Sequence, residues 1–294
     1  MLLLACNLML VLQPQPQSQP LPPASSKPTE ITPVDVVDLP SISQSTSVSG
    51  EVSTVTASPV PTQAWIIRGP DSVEVPILLY HRIAVSEDNS RYYVTPERFR
   101  EQVTLLHDWG YTSIGIELLA TALRMGAPLP PRPIIITFDD GNLDNYQSAF
   151  PLMRQAGLTG VIFIVGKYLG APGFMDATLI REMADAGWEV GSHGMTHQDL
   201  LALNEEDQQY ELRESRRFLQ DRLSLPILSF AYPFGSMDPG LATAVYNAGY
   251  LAAVGTIGST SIQDSDHLFH LRRHEVLGQE GLSSFSSFLP WQAE

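Results

Sequence analysis

The chain has 294 residues, 44% of them hydrophobic, and a mean hydropathy near zero, enough to bury one sizeable core. A formal charge of −15 excludes nucleic acid as the expected partner, because phosphate binding needs clustered Lys and Arg. The single cysteine, Cys6, excludes an intrachain disulfide.

Residues 1–12 are an uncharged apolar run, too short to span a bilayer as a helix but of the size of a signal-peptide core. Leu3-Leu4-Ala5-Cys6 resembles the lipobox of bacterial lipoproteins; the competing reading makes Cys6 a small hydrophobe inside the signal. Either way the protein is expected outside the cytoplasm, secreted or anchored to a membrane through its N-terminus. Residues 13–64 follow as a Pro/Ser/Thr-rich linker. Its stretch 13–63 holds ten of the 23 prolines and no aromatic, so it buries too little surface to offset its conformational entropy.

From Trp65 onward the sequence predicts one α/β domain, residues 65–294. Pro76 to Tyr80 reads as a buried strand ending at His81. Pro96 to Trp109 is a helix with Thr95 as N-cap and Gly110 as its stop, followed by a short strand 111–114 and a helix 116–124. Ile134 to Phe138 is an apolar strand that runs straight into Asp139-Asp140-Gly141. Helix 145–156, strand 160–165, helix 177–186 and strand 188–191 come next. The last strand of this series delivers Ser192-His193-Gly194-Met195-Thr196-His197. Helix 204–223, strand 227–232, helix 239–248, strand 250–254 and a final strand 271–276 complete the alternation. Such βα repetition builds a parallel barrel or a doubly wound sheet, with active sites at the strands' carboxyl ends. The polar clusters fall at such ends.

Two adjacent carboxylates at a strand end are costly to desolvate, so a metal or a shared proton is one reason to keep them; a solvated Asp-Asp-Gly turn is the other reading. His193 and His197, four apart, can close on one ion, and Asp140 would be a third ligand that leaves a position open for water or substrate.

Thr137-Phe138-Asp139-Asp140-Gly141 together with Ser192-His193-Gly194-Met195-Thr196-His197 resembles the polysaccharide deacetylase family, the NodB homology domain of carbohydrate esterases. The similarity spans roughly residues 76–276. It implies a distorted (β/α) barrel and a divalent metal, zinc or alternatively Co, Ni or Mn. The implied reaction is removal of acetyl groups from an N-acetylglucosamine-containing polysaccharide such as a biofilm polymer. On this resemblance Asp139 is the general base, and Asp140, His193 and His197 are the metal ligands. Leu78-Leu79-Tyr80-His81 resembles the opening motif of the circularly permuted poly-N-acetylglucosamine deacetylase branch, which makes His81 the general acid; the second Leu-x-His match ends at His270, read as an exposed loop residue.

The third family motif is imperfect in Phe230-Ala231-Tyr232-Pro233-Phe234-Gly235: Ala231 stands where an Arg normally orients the base. Arg273 is the expected substitute. The backbone N–H of Phe234 is the expected oxyanion donor, and Tyr232 and Trp188 are candidate sugar-stacking rings, against the plainer reading of core aromatics. Asp199 and Glu189 are candidate partners for the histidine ring N–H groups, against the plainer reading of solvated acids. Two alternatives stand beside the enzyme reading: a non-catalytic carbohydrate-binding protein on a degenerate deacetylase fold, and a hydrolase of small cyclic amides.

Overall fold

The computed structural model describes residues 64–256, 258 and 260–292. The signal or anchor segment 1–12 and the linker up to residue 63 lie outside the described residues. Among the described residues no helix is long and apolar enough to cross a membrane.

The frame is a run of parallel strands: β1 (Ile77–Tyr80), β2 (Pro133–Phe138), β3 (Val161–Ile164), β4 (Glu189–Ser192), β5 (Ser229–Ala231), β6 (Ala252–Val254) and β7 (His274–Glu275). They pair in the order β6-β5-β4-β3-β2-β1-β7, every pairing parallel. A further parallel bridge joins Val254 in β6 to Leu271, just ahead of β7. The sheet's two edges thereby meet, and the twisted sheet curls into a distorted barrel.

Period-two alternation divides the strand residues between two apolar clusters. Ile77, Ile135, Val161, Phe163 and Ala231 belong to the inner one, which the helix Ile116–Met125 also joins. Leu78, Ile136, Phe138, Ile162 and Phe230 face outward, onto the helices Pro96–Asp108, Ala177–Asp185 and Ser215–Leu223. Because Ile135 points inward, so do Thr137 and Asp139, at the same parity along the chain. The first helix is set as its sequence suggests, with the Thr95 hydroxyl accepting from the Arg98 amide at 3.3 Å and Pro96 at the first helical position.

Two expected helices are interrupted. The one at 145–156 begins as a π turn, Asn145–Ala149, before Phe150–Gln155; Pro151 has no N–H to give to the preceding turn. The one at 204–223 divides into Glu205–Gln209, a π turn Tyr210–Glu214 and Ser215–Leu223. Here the Ser215 hydroxyl donates to the Glu211 carbonyl, and the Tyr250 hydroxyl donates to the Leu212 carbonyl at 2.9 Å, so side chains compete for carbonyls of the ladder. The antiparallel pairs Ile66–Arg68 with Ala127–Leu129 and Ser72–Glu74 with Ile262–Asp264, and the helix Leu282–Phe288, were not expected. Their segments are too short to carry a period.

Candidate active site

The carboxyl ends of β1, β2, β4 and β5 open into a cavity of about 590 Å³ that contains His81, Asp139, Asp140, His193, His197 and Phe234. Asp140 and His197 both adopt left-handed backbone, with φ of 75° and 60°. Non-glycine residues hold such conformations at a cost, and they concentrate at functional sites.

Asp140 Oδ1 lies 3.7 Å from His193 Nε2 and 3.4 Å from His197 Nε2. The ligand atoms of the three residues all fall within 4.8 Å of one another. Donors about 2.0–2.1 Å from a tetrahedral ion stand about 3.3 Å apart, so the two Asp140 contacts are already close to that spacing and no pair of the trio needs to close by more than about 1.5 Å to share one ion. A carboxylate oxygen and two imidazole nitrogens suit zinc and its first-row neighbours. The His193 Nδ1–H donates to the Ala231 carbonyl at 2.8 Å, which leaves Nε2 to carry the lone pair toward Asp140. Burial lowers the His193 pKa, outweighing the pull of Asp139 and Asp140, and so favours the neutral ring that a ligand must be.

Asp139 has a different setting. Its carboxylate is buried, and both oxygens accept from Arg273, Nη1 and Nη2 each at 2.8 Å. The guanidinium is itself held by the Gly255 carbonyl at 2.8 Å and the Thr137 hydroxyl at 3.1 Å, over the Phe163 ring. Burial pushes the Asp139 carboxyl up; the charges of Arg273 and then His193 overcome it and bring it down to about 2. An ionised carboxylate therefore stands beside the trio, 3.8 Å from His193 Nε2, with no proton of its own.

His81 faces the same cavity with its ring 4.8 Å from that of Tyr92. Its pKa is lowered by burial, against the opposing charges of Asp139 and Asp140. Its carbonyl accepts from the side-chain amides of Asn142 and Asn145, at 3.3 and 3.0 Å. The sequence reading missed these two amides, although they stand in the short polar run Gly141-Asn142-Leu143-Asp144-Asn145 behind the acidic pair.

Phe234 has left-handed backbone, φ 59°, and an exposed ring packed edge-on against His197 at 4.9 Å.

Five candidate roles are not met. Tyr232 is fully buried, its ring against Phe230 and its hydroxyl donating to the Phe269 carbonyl at 2.9 Å, so it offers no face to a sugar. Trp188 is likewise core, packed on Phe138 and Phe150. Glu189 sits at the opposite end of β4 from His193, where it accepts from the Ser229 hydroxyl at 2.8 Å and the Glu117 amide at 3.1 Å. Asp199 caps its own short turn through the Leu201 amide. His270 is half-buried beside Gly255 and lines a cavity with Tyr246 and Phe269, apart from the one that holds His81.

A sequence profile of the family described as polysaccharide deacetylase matches residues 126–253. That span carries Asp139, Asp140, His193 and His197. Residues 126–253 are a polysaccharide deacetylase domain. His81 and Arg273, which complete the site, lie on either side of the matched span of the deacetylase domain. YxkH of Bacillus subtilis (strain 168) is 28% identical over 228 residues, 78% of this chain and 80% of its own length. The poly-beta-1,6-N-acetyl-D-glucosamine N-deacetylase of Escherichia coli (strain K12) is 28% identical over 107 residues, 36% of this chain but only 16% of that protein. The Streptococcus pyogenes deacetylase PplD, solved in complex with acetate, shares the fold, with a TM-score of 0.69, 23% identity, and coverage of 74% of this chain and 98% of its own.

Proposed function

We propose that this chain is a metal-dependent hydrolase that removes N-acetyl groups from an N-acetylglucosamine-containing polysaccharide outside the cytoplasm. The observation that carries the reading is the division of labour between the adjacent acids: Asp140 converges with both histidines, whereas Asp139, 3.8 Å from His193 Nε2, has both its oxygens engaged by Arg273. The name of the Escherichia coli relative supports a poly-N-acetylglucosamine substrate. The apolar segment and linker that precede the domain support export, as a secreted protein or one anchored through the N-terminus.

A divalent ion on Asp140, His193 and His197 would polarise the acetyl carbonyl and acidify a water. Asp139, kept ionised by Arg273, takes a proton from the attacking water. The Phe234 N–H donates to the developing oxyanion. His81, which lines the same cavity, in its protonated form hands a proton to the departing amine, which cannot leave as an anion. Arg273 supplies the guanidinium that Ala231 lacks, so the departure from the family's third motif does not by itself favour a binding-only protein.

Acetate release from N-acetylglucosamine oligomers, before and after chelation and after re-addition of Zn²⁺ or Co²⁺, tests the proposal. Loss and recovery are expected. Release that survives complete metal removal, or no release from any N-acetylated glycan by the metal-loaded protein, would overturn it.

A further inference from the structure

His193 directly follows β4, where its amide donates to the Ile164 carbonyl at 2.9 Å, and Asp140 stands in the turn two residues past β2, so both lie close to the sheet. His197 has no such support. It ends a loop four residues beyond His193 and holds a left-handed backbone, φ 60°, that L residues rarely adopt. Something must hold that loop where the imidazole meets the other two ligands.

One side of the loop is pinned by backbone: the Gly166 amide donates to the Gly194 carbonyl at 2.9 Å, and the Lys167 amide to the Met195 carbonyl at 2.8 Å. The other side is pinned by a single side chain. Glu211 is 1% exposed, and its Oε2 accepts from the Met195 and Thr196 amides at 2.7 and 2.9 Å. Its Oε1 accepts from the Thr196 hydroxyl. Three donors from one short loop thus compensate a carboxylate that burial would otherwise penalise. The approach is close enough that a Cβ at Gly194, where φ is 82°, would lie 2.7 Å from Glu211 Oε2.

Glu211 reaches the loop from within the π turn Tyr210–Glu214. The extra residue in that turn changes which side chains face the barrel, and the turn is anchored by the Ser215 hydroxyl on the Glu211 carbonyl and by the contact of Ser215 Oγ with Ser192 Oγ at 2.9 Å. Ser192 immediately precedes His193, so one helical irregularity braces both ends of the segment that carries the two histidines.

We propose that Glu211 is a positioning residue that sets the site's metal affinity by holding the Met195–Thr196 amides and the Thr196 hydroxyl together, and hence His197, in ligating geometry before an ion arrives. The inference rests on the metal-dependent reading above. If the loop is free, ion binding must also order it, and affinity falls accordingly.

The test is titration of metal-free protein with Co²⁺, read by visible absorption, on wild type, Glu211→Ala, Glu211→Gln and Thr196→Val. Loss of an outer partner of a metal ligand typically weakens affinity roughly 10–100-fold, and this is expected for Glu211→Ala, with a changed Co²⁺ spectrum. Glu211→Gln keeps an oxygen for the two amides and should stay within about threefold of wild type; Thr196→Val should fall between the two. A folded Glu211→Ala that binds Co²⁺ with wild-type affinity and spectrum would overturn the proposal. Should Glu211→Ala fail to fold, Thr196→Val decides: unchanged affinity and spectrum overturn it, and a weakened site supports it. Wild type that binds no Co²⁺ is a separate result, and would remove the metal reading itself.

Discussion

Arg273 closes on both oxygens of Asp139 from 134 residues further along the chain, at 2.8 Å to each. Both partners are buried, so the pair is a fixed element of the barrel interior and not a surface contact. It keeps one of two adjacent acids ionised and leaves the other to converge with His193 and His197.

Replacing the guanidinium should therefore damage both stability and the pH profile. Arg273→Gln leaves a buried carboxylate without its counter-charge, at an expected cost of roughly 3–5 kcal/mol. Without Arg273, burial dominates and the Asp139 pKa rises. As the proposed base, Asp139 must be ionised to work, so the acid limb of kcat/KM is expected to move to higher pH. An acid limb in its wild-type position would show that another group maintains Asp139.

The same pair makes a pH-dependent contribution to stability. The folded pKa of about 2 lies below the 3.8 of an unperturbed Asp, so the contribution is complete above about pH 4 and is lost as pH falls toward 2. Its size is on the order of 2 kcal/mol. Urea unfolding of wild type and Asp139→Asn between pH 2 and 6 measures it; parallel curves for the two proteins would contradict it.

His81→Ala separates proton donation from the other steps. Amide cleavage should fall by about 10²–10⁴, while an activated acetyl ester, whose leaving group departs unprotonated, should lose far less. Equal losses on the two substrates would assign His81 to binding or to support of the site.

For Phe234 the ring and the backbone can be tested apart. The exposed ring contributes contact surface and its packing on His197, whereas the proposed oxyanion donor is the N–H. Phe234→Ala is expected to raise KM about fivefold, the value of one aromatic contact, with kcat nearly unchanged. A collapse of kcat would mean that the ring holds His197.

Glu189 provides a control at the far end of the barrel. It takes the capping role for the helix Ile116–Met125, whose N-cap Gly115 has no side chain; a Cβ at Gly115 would lie 2.3 Å from the Glu189 carboxylate. Burial raises its pKa. Glu189→Gln preserves an acceptor for the amide and removes a buried charge, so stability at pH 7 should change by less than about 1 kcal/mol and metal affinity not at all. A weakened metal site in this variant would return Glu189 to the neighbourhood of His193.

The alternation of strand and helix is legible along the chain, because apolar runs bounded by glycines and prolines are local patterns that each segment carries alone. So are the acids and imidazoles that end the strands, since Asp139, Asp140, His193 and His197 directly follow or lie close behind those runs. What those residues meet is set by the folded barrel. Arg273 reaches Asp139 because Leu271 bridges β6 and brings the final strand beside β1. Tyr232 and Trp188 prove to be core because strand parity and twist turn their rings away from the cavity, and Glu189 lies at the wrong end of β4 to serve His193. Glu211 arrives at the loop before His197 through a π turn that the helical pattern of residues 204–223 does not announce. Periodicity is written in neighbouring residues, whereas register, closure and helix irregularity arise from competition among distant groups once the sheet has formed.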